Sequence, residues 1–207
     1  MRARQAFLLM AAFLVAVGLV LFIWWDQVAR WRPHPITQQQ ATIATAVSGA
    51  GWVGAGASGG PKLYVVATRA CAACDAFDKT ELPKLQKVGV DVRMILIAPT
   101  DSTPAERATV AELWVNRSWP LLQAWLAADP KTWTTPPAPP ADGDAGRTAV
   151  IAAGRDLATQ LTAALKPNGV RYAPPLLIWW AKDGALEASA GDAPKTWRDA
   201  EQELVAR

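Results

Sequence analysis

Hydrophobic and polar positions along this chain fall into three regimes. Residues 6–25 carry no charge and follow a short basic start containing Arg2 and Arg4. At about 1.5 Å of rise per residue, a helix of that length spans a hydrocarbon core of about 30 Å. Trp24, Trp25 and Trp31 lie at its far end, where indoles prefer the headgroup layer. The rival reading is a cleaved signal peptide, but the apolar run is long and the small-residue motif Ala44-Thr45-Ala46 lies too far downstream. Residues 1–31 therefore read as an uncleaved N-terminal signal anchor with one transmembrane helix. Arg2 and Arg4 on one side compete with Arg30 and Arg32 on the other. The short tail before a first helix favours a cytoplasmic amino terminus, with the rest of the chain outside the cytoplasm. Residues 32–61 lose periodicity: Pro33 and Pro35, a Gln/Thr/Ala stretch suited to a short helix, then six glycines between positions 49 and 60. This composition predicts a flexible, glycine-rich linker.

Regular patterns return at residue 62. Residues 62–68 are rich in β-formers and predict a strand. A helical pattern follows, with Cys74, Phe77, Leu85 and Val88 on its apolar side and a break at Pro83. Residues 90–97 end in a continuous apolar run that fits a sheet centre. Strand, helix and strand in that order form a βαβ unit with parallel strands, and α/β sites collect at the carboxyl end of such strands. Thr103, Pro104 and Glu106 make a capping box for a helix to about residue 117, and Ser118 caps a second to about 128. The proline pairs at 136–137 and 139–140 mark residues 129–146 as an exposed loop, and a further helix covers about 147–165, stopping at Lys166-Pro167-Asn168-Gly169. Residues 176–180 and 185–190, joined by a turn at Lys182-Asp183-Gly184, read as a hairpin. Asp192 and Pro194 open a last helix reaching Val205. One domain is expected over 62–207, with a helical insertion at about 102–166.

Composition changes this picture little. The 207 residues hold enough apolar side chains to bury a core without crosslinks, and a net charge of +3 is spread without a dense basic block, which argues against a nucleic-acid partner. The 11 tryptophans follow no fixed interval and read as core or membrane-interface residues. His34, the only histidine, lies in the linker and reads as a solvated side chain.

The candidate chemistry is the only cysteine pair, Cys71 and Cys74, set three positions apart at the predicted strand-to-helix junction. Free N–H groups and the positive end of the macrodipole at a helix start favour a thiolate there, which makes Cys71 a nucleophile. Cys74, one turn further in, is placed to resolve a mixed disulfide. As a structural crosslink the pair closes too small a loop to restrain the unfolded chain much. As a zinc site it supplies two ligands where about four are needed, and as a copper carrier it lacks a histidine in the domain. No metal and no cofactor is expected. Arg69 is close enough in sequence to favour the thiolate, Asp75 opposes it while suiting the helix start, and Ala72 and Ala73 fill the space between the cysteines.

With a CxxC opening a helix after a strand, a helical insertion, Gly169-Val170-Arg171-Tyr172-Ala173-Pro174, a hairpin and a closing helix, residues 62–207 resemble the thioredoxin-fold thiol-disulfide proteins of the bacterial envelope, in layout the DsbC/DsbG type. The resemblance implies a thioredoxin-like α/β fold. It also implies a cis-proline facing the disulfide: Pro174 takes that place, so the Ala173–Pro174 bond is expected to be cis and to pack against Cys71, with Ala173 and Pro174 receiving substrate. Pro175 competes for the cis bond. The chain departs from relatives in Ala72-Ala73, the dipeptide position that the resemblance implies tunes the redox potential, in Ala173 where threonine is usual, and in Val65, six residues before Cys71, where thioredoxins carry a buried aspartate. No N-terminal dimerisation domain has room to precede the fold, so a tethered monomer is expected.

These features predict a membrane-anchored thiol-disulfide oxidoreductase acting on envelope proteins from the periplasmic side of the inner membrane, exchanging electrons with an unidentified donor or acceptor. The competing reading is an adaptor in an envelope secretion or conjugation assembly. It would bind its partner through the insertion and the loop at 133–140, without redox turnover.

Overall fold

The computed structural model describes residues 2–27, 33–56, 59–129, 132–134, 138–191 and 194–205. Helix α1 (Arg2–Gln27) belongs to a unit of its own, and the remainder from Pro33 forms a second. Phe13, Leu14, Val15 and Phe22 on α1 are exposed. Among the described residues no helix is long and apolar enough to cross a membrane, so the anchor expected at residues 6–25 rests on the sequence pattern. Trp31, Arg30 and Arg32 lie outside the described residues.

In the second unit the chain runs β1 (His34–Pro35), α2 (Gln40–Gly49), β2 (Val53–Gly54), β3 (Lys62–Ala67), α3 (Ala72–Thr80), α4 (Leu82–Lys87), β4 (Asp91–Leu96), α5 (Pro104–Asn116), α6 (Trp119–Ala127) and α7 (Ala145–Leu165). A 3-10 turn at Lys166–Asn168, β5 (Leu176–Trp180), β6 (Leu186–Ala190) and α8 (Pro194–Val205) complete it. The six strands form one sheet in the order β1-β6-β5-β3-β4-β2. As expected, β3 and β4 are parallel and β5 and β6 form an antiparallel hairpin, while β3 pairs antiparallel with β5 at the sheet centre.

Strand β3 is apolar at consecutive positions because both of its faces are covered. Leu63, Val65 and Ala67 point to one side, where they pack with Cys74, Phe77, Leu82 and Leu85 of α3 and α4 and with Trp197 of α8. Tyr64 and Val66 point to the other, against Ile43 and Val47 of α2 and Leu157, Leu161 and Leu165 of α7. The ring of Phe77 meets that of Trp197 edge to face at 5.5 Å, which pins α3 to α8 on the first side.

The expected linker is the main correction. Residues 33–56 supply both sheet edges: His34 and Pro35 pair with β6, and Val53 and Gly54 pair with β4. Between them Ile43 and Val47 of α2 are fully buried. Asn168, just after α7, accepts hydrogen bonds from the backbone N–H groups of Thr37 and Gln38 at 2.9 and 2.8 Å, tying the segment down before α2 begins. At Gly51 the missing side chain serves close packing. A side-chain carbon on Gly51 would lie 2.5 Å from the Trp114 ring, whose Nε1–H donates to the Leu96 carbonyl at 2.7 Å.

The capping signals behave as read. Thr103 Oγ1 accepts from the Glu106 N–H at the start of α5, and Ser118 Oγ from the Leu121 N–H at the start of α6. Asp144, which accepts from the Arg147 N–H, starts α7 two residues before the expected position. Of the last helix's expected caps, Asp192 lies outside the described residues.

Candidate active site

The carboxyl end of β3 delivers the chain to α3 through a turn at Thr68, Arg69 and Ala70. Cys71 occupies the N-cap position of α3, and its Sγ accepts the N–H of Cys74 at 3.1 Å. A side-chain oxygen normally fills this role, and sulfur takes it here, so one orphan donor of the helix start is directed at Sγ. The two cysteines form a disulfide with Cα atoms 5.2 Å apart. Their surroundings differ sharply: Cys71 is half-buried, whereas Cys74 is 2% exposed against the sheet.

Opposite the disulfide lies the segment before β5. The carbonyl oxygen of Pro174 is 3.5 Å from Cys71 Sγ, so the expected approach of residues more than a hundred positions apart is present. The expected cis bond is displaced by one residue: it is Pro174–Pro175, not Ala173–Pro174. Both prolines lack an N–H, and local sequence does not rank two adjacent X-Pro bonds. The carbonyls of Ala173 and Pro175 both accept the N–H of Gly191 at the end of the hairpin, at 3.1 and 3.2 Å, which leaves the Pro174 carbonyl turned to the sulfur.

Arg69, expected near the thiol, lines the same groove as Cys71. The residue is 9% exposed, and its guanidinium donates to the carbonyls of Ala128 and Leu126 at the end of α6, at 2.6 and 3.4 Å, with Asp75 3.9 Å away. Arg69 thus fastens the insertion to the start of α3. Asp75 is bound chiefly by Lys79, at 2.7 Å. Ala72 is exposed and Ala73 half-buried, so neither crowds the approach to Cys71. Between α3 and the end of α6 runs an open groove of about 540 Å³, lined by Arg69, Cys71, Ala72, Asp75 and Lys79 on one side and Leu126 to Asp129 on the other. Sequence reading did not foresee the wall supplied by α6.

Nor did it single out Asp78. This carboxyl stands one helical turn beyond Cys74, and its Oδ1 is shut off from solvent without a hydrogen-bond partner. Burial pushes its pKa up from 3.8 to about 7. The neighbouring Asp75 carboxylate adds to the rise, and Arg69 and Lys79 oppose it. On α5, burial likewise raises the Glu106 carboxyl, opposed by a hydrogen bond from the Thr103 backbone, and its Oε1 lacks a partner. The i, i+4 spacing from Cys74 to Asp78 is visible in the sequence, but the burial that gives it meaning is not.

No protein-family model matches the chain, and no curated protein matches its sequence. Solved structures do. BcfH of Salmonella enterica Typhimurium aligns with a TM-score of 0.53 at 13% identity, over 98% of this chain and 93% of its own. A periplasmic thioredoxin-like protein from Salmonella enterica serovar Typhimurium gives 0.53 at 18% identity, over 83% of this chain and 100% of its own. A linker-deletion variant of Proteus mirabilis ScsC gives 0.54 at 15% identity, over 99% and 95%. At these identities the likeness establishes the fold: the second unit is thioredoxin-like, as the CxxC and the late hairpin led us to expect.

Proposed function

We propose that this chain is a membrane-anchored thiol-disulfide oxidoreductase that acts on cysteines of envelope proteins. The observation that carries this reading is the unequal setting of the two sulfurs, Cys71 half-buried on an open groove at a helix start and Cys74 enclosed behind it. A purely structural disulfide has no use for that asymmetry, whereas two-step exchange requires it.

In the reducing direction, the Cys71 thiolate attacks one sulfur of a substrate disulfide. The substrate S–S bond breaks, and its second sulfur leaves as a thiolate that takes a proton. Cys74, deprotonated, then attacks Cys71 Sγ, and the mixed disulfide breaks to release the other substrate thiolate. The protein dithiol has become a disulfide while the substrate disulfide has taken up two electrons, and oxidation of a substrate dithiol runs the same bonds in reverse. A second dithiol or disulfide protein returns the pair to its starting state. The N–H groups at the start of α3 hold the Cys71 thiolate, and the small side chains of Ala72 and Ala73 keep its approach open. Arg69 and Asp75 set the charge around the pair. Substrate lies along Ala173 and Pro174, where the Pro174 carbonyl accepts a substrate N–H and neither proline offers a donor that would compete for the sulfurs.

The proposal places the enzyme as a monomer in the bacterial inner membrane, with residues 6–25 spanning it and the thioredoxin-like unit in the periplasm. The uncharged run and the exposed apolar side chains of α1 support this. The test uses the full-length protein. Wild type should catalyse insulin reduction by dithiothreitol, Cys74→Ser should accumulate mixed disulfides through Cys71, and Cys71→Ser should accumulate few or none. Absence of both turnover and trapping would overturn the proposal.

A further inference from the structure

We infer that Asp78 is the proton acceptor for Cys74, taking the thiol proton when Cys74 attacks the mixed disulfide and returning it when the pair is reduced. This rests on the redox reading of the cysteines and adds to it a residue for a step that reading leaves unassisted. Cys74 is enclosed, so bulk water is not at hand to take its proton. The sheet face above it offers no base, since Leu63, Val65 and Ala67 of β3 and Val92, Met94 and Leu96 of β4 are all apolar. The nearest ionisable groups on its own helix are Asp75 and Asp78. Asp75 is occupied by Lys79 at 2.7 Å and lies near Arg69 at 3.9 Å. Asp78 follows Cys74 by four residues, on the same helix face about 5–6 Å away between Cβ atoms, within reach directly or through one water. Its Oδ1 is enclosed and has no hydrogen-bond partner, so one acceptor position is free.

The charges acting on Asp78 suit this role. Burial and the Asp75 carboxylate favour its neutral form; Arg69 from the preceding turn and Lys79 from α3 favour the ionised form. From α5, Glu106 acts in turn on Arg69. The balance leaves the carboxyl titrating near neutrality, where an acceptor and donor of the same proton is most effective. In the step itself, the Cys74 S–H bond breaks, the proton passes to the Asp78 carboxylate, the Cys74 sulfur forms its bond to Cys71 Sγ, and the substrate sulfur departs with the electron pair. A substrate disulfide is the oxidant, so no other co-reactant is needed.

The test follows full-length reduced protein in a neutral detergent, mixed with excess 5,5'-dithiobis(2-nitrobenzoate). The first thionitrobenzoate is released when Cys71 attacks the reagent, the second when Cys74 resolves the mixed disulfide. Asp78→Asn should leave the first phase unchanged and slow the second by at least about tenfold at neutral pH. The rate of the second phase should then rise steadily with pH, where wild type levels off above neutrality. Asp78→Glu should restore a levelling profile with a displaced midpoint. A second phase with wild-type rate and pH profile in Asp78→Asn overturns the inference, as does equal slowing of both phases, which marks a merely structural role. If wild type releases no second equivalent, the redox reading itself fails and the role of Asp78 falls with it.

Discussion

Asp78 makes a prediction about stability that is independent of any substrate. A carboxyl that ionises near 3.8 when exposed and about 7 in the folded protein binds more protons in the folded state throughout the interval between those values. Folding stability contributed by this group is therefore lost as pH rises through that window. The full difference corresponds to about 4 kcal/mol, and relaxation around the side chain reduces the expected effect to about 2–4 kcal/mol. Asp78→Asn keeps the shape and removes the ionisation. With Cys71–Cys74 oxidised in both proteins, urea unfolding in one neutral detergent should show the variant gaining on wild type between pH 4.5 and 7. The gain should stop growing above the folded-state value. Because the comparison reads only the change with pH, any constant cost of the amide drops out. A stability difference that is flat over this range would refute the argument that burial, uncompensated by a partner, dominates at this carboxyl.

Gly51→Ala tests the correction at residues 33–56: if this segment is packed as described, the new methyl group meets the Trp114 ring and costs about 1–3 kcal/mol in denaturant unfolding. An unchanged midpoint would mean that the segment does not pack there. A C-terminal alkaline phosphatase fusion should be active and a C-terminal green fluorescent protein fusion dark when both are exported by residues 1–31 through the general secretory route. The opposite pattern would overturn the proposed orientation.

How much was legible in the sequence depended on the range of the forces involved. Thr103 and Ser118 cap helices three residues away, so their motifs carry nearly all the information that decides the local structure. The cysteine spacing and the β-rich run before it likewise located the candidate site. Residues 32–61, of which 33–56 are packed, read as a tether because glycine and proline report the freedom of an isolated chain. What holds them is distant: Asn168 on their backbone, β4 and β6 beside them, and α7 and the sheet over Ile43 and Val47.

The same division runs through the site. The sequence by itself determined that a sulfur stands at a helix start with a second sulfur one turn behind, because a CxxC after a strand admits few other arrangements. Only the tertiary structure decided which proline bond is cis, that Arg69 bonds to carbonyls 57 and 59 residues away, and that Asp78 Oδ1 is enclosed without a partner. A charge or a proline means in sequence what its neighbours allow. Its hydrogen-bond partners and its access to water are settled by segments that meet only when the chain has folded.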